Sequence, residues 1–138
     1  MPAETAGSGS PRRDRPAVGV VTVDDQAIFR AAAREVIDVT PGFETAGEAA
    51  SGEEAIALVG RLDPQLVLVD VRMPGMGGAE AARRIKELRP RAVVVLISLD
   101  APEDAPATAS ASGAVAFVRK QDFNSKMLRG LWVAHCPV

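Results

Sequence analysis

The residues able to do chemistry stand at the ends of apolar runs. Asp70 closes Leu66-Val67-Leu68-Val69-Asp70, and a turn-rich segment with Pro74, Gly75, Gly77 and Gly78 follows. Asp24 and Asp25 close the run Val18 to Val23, Ser98 follows Ala92 to Ile97, and Lys120 comes just after Val115 to Val118. Three carboxylates make an anionic, oxygen-rich site that suits Mg²⁺, a hard cation that takes few protein ligands. Such an ion would offset carboxylate repulsion and orient an incoming phosphoryl group. A carboxylate can attack phosphorus and form an acyl phosphate. Lys120 would face phosphoryl oxygens as a point charge, and the Ser98 hydroxyl would donate one hydrogen bond. Each residue alone says little, because polar residues often follow strands; the joint set is the signal.

These residues need elements that bring them together. Unbroken apolar runs bounded by turn residues read as strands buried on both faces. Strands are expected at Val18–Val23, Phe43–Glu48, Leu66–Asp70, Ala92–Ile97 and Val115–Val118. Helices are expected between them. The first runs over about 26–38, with Ile28, Ala32 and Val36 on one stripe and Phe29, Ala33 and Ile37 beside it. The second runs over 52–62, buries Ala55, Leu58, Val59 and Leu62, and carries a Ser51/Glu54 capping box. The third runs over 79–88 with Ala82, Ile85 and Leu88 inward, and the last over 125–134 with Met127, Leu128, Leu131 and Trp132 apolar. A crossover helix over 103–112 is also required, yet that stretch is Ala, Ser and Thr with Pro106 near its start. It has little to anchor it. Alternating strands and helices give a doubly wound parallel α/β sheet, and right-handed crossovers bring every strand's carboxyl end to one edge. Ligands bind at that edge in open α/β sheets.

Composition narrows the classes. The chain has 138 residues, 47% hydrophobic, with a net charge of −2. This is one domain with a substantial core and no strongly basic surface for nucleic acid. The single cysteine, Cys136, excludes an internal disulfide and suits a reducing, cytoplasmic setting. No run is long enough to span a membrane. Residues 1–16, with the basic cluster Arg12, Arg13 and Arg15, read as a disordered tail, and 17–138 as the folded domain. His135 and Cys136 near the end read as terminal residues rather than metal ligands.

The motifs resemble the receiver domain of bacterial two-component response regulators over roughly residues 17 to 134. The resemblance rests on Val23-Asp24-Asp25, on Asp70 with Met73-Pro74-Gly75-Met76 and Gly78, on Ser98, and on Phe117-Val118-Arg119-Lys120. Pro41-Gly42-Phe43, Glu48-Ala49 and Ser51-Gly52-Glu53-Glu54-Ala55 resemble the subfamily that usually carries a helix-turn-helix output domain. The resemblance implies a flavodoxin-like (βα)5 fold with strand order 2-1-3-4-5, an order for which a receiver is a standard example. It implies that Asp70 takes phosphate from a histidine kinase or phosphotransfer protein. Asp25, Asp70 and the Arg72 backbone carbonyl would hold Mg²⁺ directly, and Asp24 mainly through water. Ser98 would swing toward the phosphoryl group, and Phe117, three before Lys120, would be the aromatic that turns inward. A downstream protein or a second copy of the chain would read the face formed by the crossover helix, the fifth strand and the last helix.

Some features depart from that pattern. Little sequence follows the last helix, so a single-domain receiver without an output domain or direct DNA binding is expected. Leu99 is larger than the small residue usual after Ser98. Arg72 and Asp100 flank the expected opening and are expected to approach each other and restrict water. Two rival readings stand beside it, the first on the same fold and the second on a related α/β fold. One is an interaction or dimerisation module independent of phosphorylation. The other is a phosphatase of the haloacid-dehalogenase kind, which would want a carboxylate two residues after the nucleophile, where Arg72 stands.

Overall fold

A computed structural model of the chain describes residues 17–100, 109 and 111–137. The expected tail with Arg12, Arg13 and Arg15, and most of the expected crossover helix over 103–112, lie outside the described residues.

Among the described residues, five parallel strands form one sheet: β1 (Val18–Val23), β2 (Phe43–Ala49), β3 (Leu66–Asp70), β4 (Val93–Ser98) and β5 (Ala116–Arg119). Their order is β2-β1-β3-β4-β5, the doubly wound arrangement expected from sequence. Every residue of β3 and β4 is buried, which is why these strands are apolar without alternation. Register places Val69 beside Val23 and Asp70 beside Ile97, so the ends of β1, β3 and β4 come level.

Among the described residues, four helices cover the sheet: α1 (Ala27–Val39), α2 (Gly52–Leu62), α3 (Gly78–Leu88) and α4 (Ser125–His135). On one face, Ala55 and Val59 of α2 and Ala81, Ala82 and Ile85 of α3 pack on Val21, Val67, Val69 and Leu96. On the other, Ala33 and Ile37 of α1 and Leu128 and Leu131 of α4 pack on Val20, Leu66, Leu68 and Val95. Each fully buried aliphatic side chain contributes about 2 kcal/mol.

The caps match local chemistry. Ser51 accepts from Glu54 N at 3.1 Å, while the Glu54 carboxylate reaches back to Ala50 N at 2.5 Å. Asn124 caps α4 by accepting from Met127 N at 2.8 Å. Asp63 ends α2 in the left-handed region at φ 50°, just before Pro64.

Four apolar positions depart from expectation. Ile28 is 86% exposed, and Ala32 on the same stripe is exposed too. Phe29, Ala33 and Ile37 face the sheet instead. Two adjacent apolar stripes look alike in sequence; packing against α4 and the sheet selects one. Leu62 and Leu88 are also partly exposed, because each is the last residue of its helix, where the chain leaves the core.

Candidate functional site

The strand ends assemble a pocket of carboxylates. One oxygen from each of Asp24, Asp25 and Asp70 lies within 4.8 Å of the others. Asp24 and Asp70 are buried, and Asp25 is half-buried at the rim. Lys120 enters from the turn just after β5, with Nζ 2.6 Å from Asp24 Oδ2 and 3.6 Å from Asp70 Oδ2. The ammonium also lies 4.8 Å from the centre of the Phe29 ring, a cation–π contact. Phe29 in turn packs on Phe123 with ring centres 6.3 Å apart. The aromatic support beneath Lys120 was not legible in the motifs; its signal was Phe29 in the first turn of α1.

The β3–α3 turn folds back over Asp70. Gly78 N donates to Val71 O at 3.0 Å, and a Cβ on Gly78 would sit 2.0 Å from the Asp70 carbonyl oxygen. Only glycine allows that approach. Arg72 N donates to Asp70 Oδ1 at 3.3 Å, so the turn orients the carboxylate.

Burial, then the Asp24 charge, pushes the Asp70 carboxyl up to about 6 from its ordinary 3.8, against the opposing pull of Lys120 and the Arg72 N–H. One lysine does not balance three carboxylates. Asp24 Oδ2 is buried and has no donor on a hydrogen-bonding line, although Lys120 pairs with its charge. An oxygen-only donor set, surplus negative charge and a buried oxygen short of a donor fit a hard divalent cation.

Ser98 is buried at the end of β4, and its Oγ accepts from Asp100 N at 3.0 Å. Asp100 then pairs with Arg72, Nε to Oδ2 at 2.5 Å. The expected approach of these two side chains is present. The pair joins the loop after Asp70 to the loop after Ser98. Leu99 between them is 73% exposed. Phe117 is half-buried on the α2–α3 side of the sheet, against the same apolar layer as Leu96. Every residue singled out from sequence for this site is among those described, and Asp24, Asp25, Asp70, Ser98 and Lys120 are at one edge. His135 and Cys136 are at the end of α4 and outside the carboxylate cluster.

A second layer was not anticipated. Arg30, in the first turn of α1, donates from Nη1 to the Asp24 main-chain oxygen at 2.6 Å and lies 3.8 Å from Glu48 Oε1. Arg34 grips the same Glu48 through both carboxylate oxygens and holds its carboxyl below the usual range. The available signal was a cation near a helix N-terminus, where the macrodipole disfavours it.

Comparison with known proteins decides the family. A profile for the response regulator receiver domain matches residues 20–130. The chain belongs to the response regulator receiver family. The receiver is 31% identical over 112 residues to the nitrate/nitrite response regulator protein NarL of Escherichia coli K12, covering 81% of this chain and 52% of that protein. It is 38% identical over 106 residues to protein-glutamate methylesterase/protein-glutamine glutaminase 2 of Photobacterium profundum, covering 75% of this chain and 27% of that protein. The chain thus spans about half or less of the length of these curated relatives. Among solved structures it resembles the signal receiver domain of the putative response regulator NarL from Mycobacterium tuberculosis. That match has a TM-score of 0.77 and 28% identity, and covers 86% of this chain and 96% of that one. The receiver is a signalling domain of two-component systems. No helix among its described residues is long and apolar enough to cross a membrane.

Proposed function

We propose that this receiver is a phosphorylation switch in which Asp70 is the phosphoacceptor. The observation that supports it most is the position of Asp70. It ends a central strand and is buried beside two further carboxylates, with the Lys120 ammonium 3.6 Å away. The donor is a phosphohistidine on a histidine kinase or phosphotransfer protein. An Asp70 carboxylate oxygen attacks phosphorus, the P–N bond breaks, the imidazole leaves with its proton, and an acyl phosphate remains. Asp25, Asp70 and the Arg72 carbonyl are assigned to Mg²⁺, with Asp24 acting mainly through water. When bound, the cation neutralises charge on the transferring phosphoryl group. Lys120 turns from the carboxylates toward the phosphoryl oxygens, and Ser98 gives up its place as acceptor for Asp100 N to donate to the same group. Phe117 then moves into the space that Ser98 leaves.

The output is read by a downstream protein or a second copy of the chain, at the face around β5 and α4, in the cytoplasm. The partners proposed for this domain are proteins, not DNA or membrane. Arg72 and Asp100, closed over the loops beside Asp70 and Ser98, lengthen the life of the acyl phosphate by limiting water.

Incubation with Mg²⁺ and a small acyl phosphate tests the reading. The expected result is one phosphoryl group by intact mass, absent with chelator and absent in Asp70→Asn. No mass gain, and no conformational response to beryllofluoride, would favour a phosphorylation-independent interaction module. Continuous turnover of a phosphate ester would favour a phosphatase.

A further inference from the structure

We infer that Arg30, braced by Glu48, is a positioning residue that sets the affinity of the acidic pocket for its divalent cation. The inference rests on the Mg²⁺ reading of the pocket given above. It adds a residue outside the carboxylate set and assigns it a measurable role.

Asp24 is fixed through each of its polar groups. Its N–H donates to Ala49 O at 3.0 Å, Oδ1 accepts from Gln26 N at 2.8 Å, Oδ2 pairs with Lys120, and its carbonyl accepts from Arg30 at 2.6 Å. The carbonyl contact differs in kind from the others. That oxygen belongs to the peptide joining Asp24 to Asp25, so its direction sets how Asp25 leaves the strand. A charge-assisted bond on the carbonyl therefore orients both carboxylates at once.

Arg30 can do this because it is held from behind. Its side chain is mostly buried, at 22% exposure, with Glu48 at the end of β2 on its far side. Arg34 locks the Glu48 carboxylate in turn. The chain of contacts runs Arg34, Glu48, Arg30, Asp24 carbonyl, and it ties the ends of β1 and β2 to α1.

Charge alone argues against an arginine here. A guanidinium beside an anionic pocket repels the cation that the pocket attracts, and it opposes the dipole of α1. Geometry is what the residue supplies. Lysine keeps the charge but has one compact head, and it cannot bridge a carbonyl and a carboxylate as the planar fork does. A charge-conserving substitution thus separates positioning from electrostatics.

The experiment is titration of the full chain with MgCl₂ alone, by calorimetry, for wild type, Arg30→Lys, Glu48→Gln and Asp25→Asn. The expected result is a dissociation constant about tenfold higher in Arg30→Lys, the scale for losing a residue that orients a metal ligand. Glu48→Gln shifts it the same way by less, and Asp25→Asn abolishes binding. With acyl phosphate, Arg30→Lys reaches the wild-type labelling rate at saturating Mg²⁺ but needs more Mg²⁺ for half that rate. A dissociation constant within about twofold of wild type, or below it, overturns the inference while leaving the metal site intact. So does a rate loss that Mg²⁺ does not restore. If Arg30→Lys fails to unfold cooperatively, Glu48→Gln decides, since it retains the arginine and removes only the charge that braces it. Wild type that binds no Mg²⁺ overturns the pocket reading, and this inference with it.

Discussion

The two sides of the acidic pocket are built differently. On the β1–α1 side, the N–H, carbonyl and Oδ1 of Asp24 are hydrogen-bonded, Oδ2 has only the Lys120 charge beside it, and Arg30, Glu48 and Arg34 brace the backbone. On the β4–β5 side, the Ser98 hydroxyl accepts one loop N–H, Leu99 points into solvent, and Phe117 is only half-buried. A rigid side suits groups that must hold an ion in fixed geometry. A side with few contacts among the described residues suits groups that must change partner, because each alternative costs little to reach. Under the proposed switch, one pocket thus joins a half that holds the ion to a half that responds.

The sharpest way to break this comparison is to remove Lys120, the residue that touches both carboxylates. Lys120→Ala leaves Asp24 and Asp70 buried without a cation, so unfolding free energy should fall by about 3 kcal/mol or more in metal-free buffer. Mg²⁺ should return part of the loss. Urea melts with and without Mg²⁺ measure both, and an unchanged midpoint would mean that the lysine does not hold the pocket together.

Asp70→Asn should act in the opposite direction. The Asp70 carboxyl is raised to about 6, so between pH 4 and 6 the folded state binds more protons than the unfolded chain. Native stability therefore falls as pH rises through that window, and the ionised carboxylate is a cost above it. Asparagine removes the cost. The variant should exceed wild type by on the order of 2 kcal/mol at pH 8 without metal, with the gain vanishing toward pH 4. A gain that is constant with pH would assign the effect to packing instead.

The responsive half should show its role in signalling rather than in stability. Phe117→Ala should leave Asp70 labelling close to wild type yet remove the change in amide exchange around β5 on addition of beryllofluoride. An unchanged exchange response would place the moving element elsewhere. The smallest thermodynamic effect is expected from Arg72→Ala with Asp100→Ala. The pair is 61% and 40% exposed, so its loss should shift stability by less than about 1 kcal/mol. Loss of phosphate from labelled protein should nonetheless be faster than in the parent. An equal rate would reduce the pair to a surface contact.

The sequence by itself determined the sheet, the alternation of layers and the identity of the pocket. Apolar runs ending on Asp25, Asp70 and Ser98 are local facts, and the parallel topology that levels their ends follows from the right-handed crossover rule. The Arg72–Asp100 approach was also legible, because each residue lies two past a strand-end group that register sets side by side. Other features depended on three dimensions. Phe29, rather than Ile28, faces the core because α4 covers only one of two equivalent stripes. Phe29 reaches Lys120, 91 residues away in sequence, only when β5 is laid down as the last strand. Arg30 reads in sequence as one more surface cation. Tertiary structure brings Glu48 and the Asp24 carbonyl within its reach, since β2 pairs with β1 and ends where α1 begins. Residue type fixes what a group can do. Its partners are fixed by which strand ends the sheet places together.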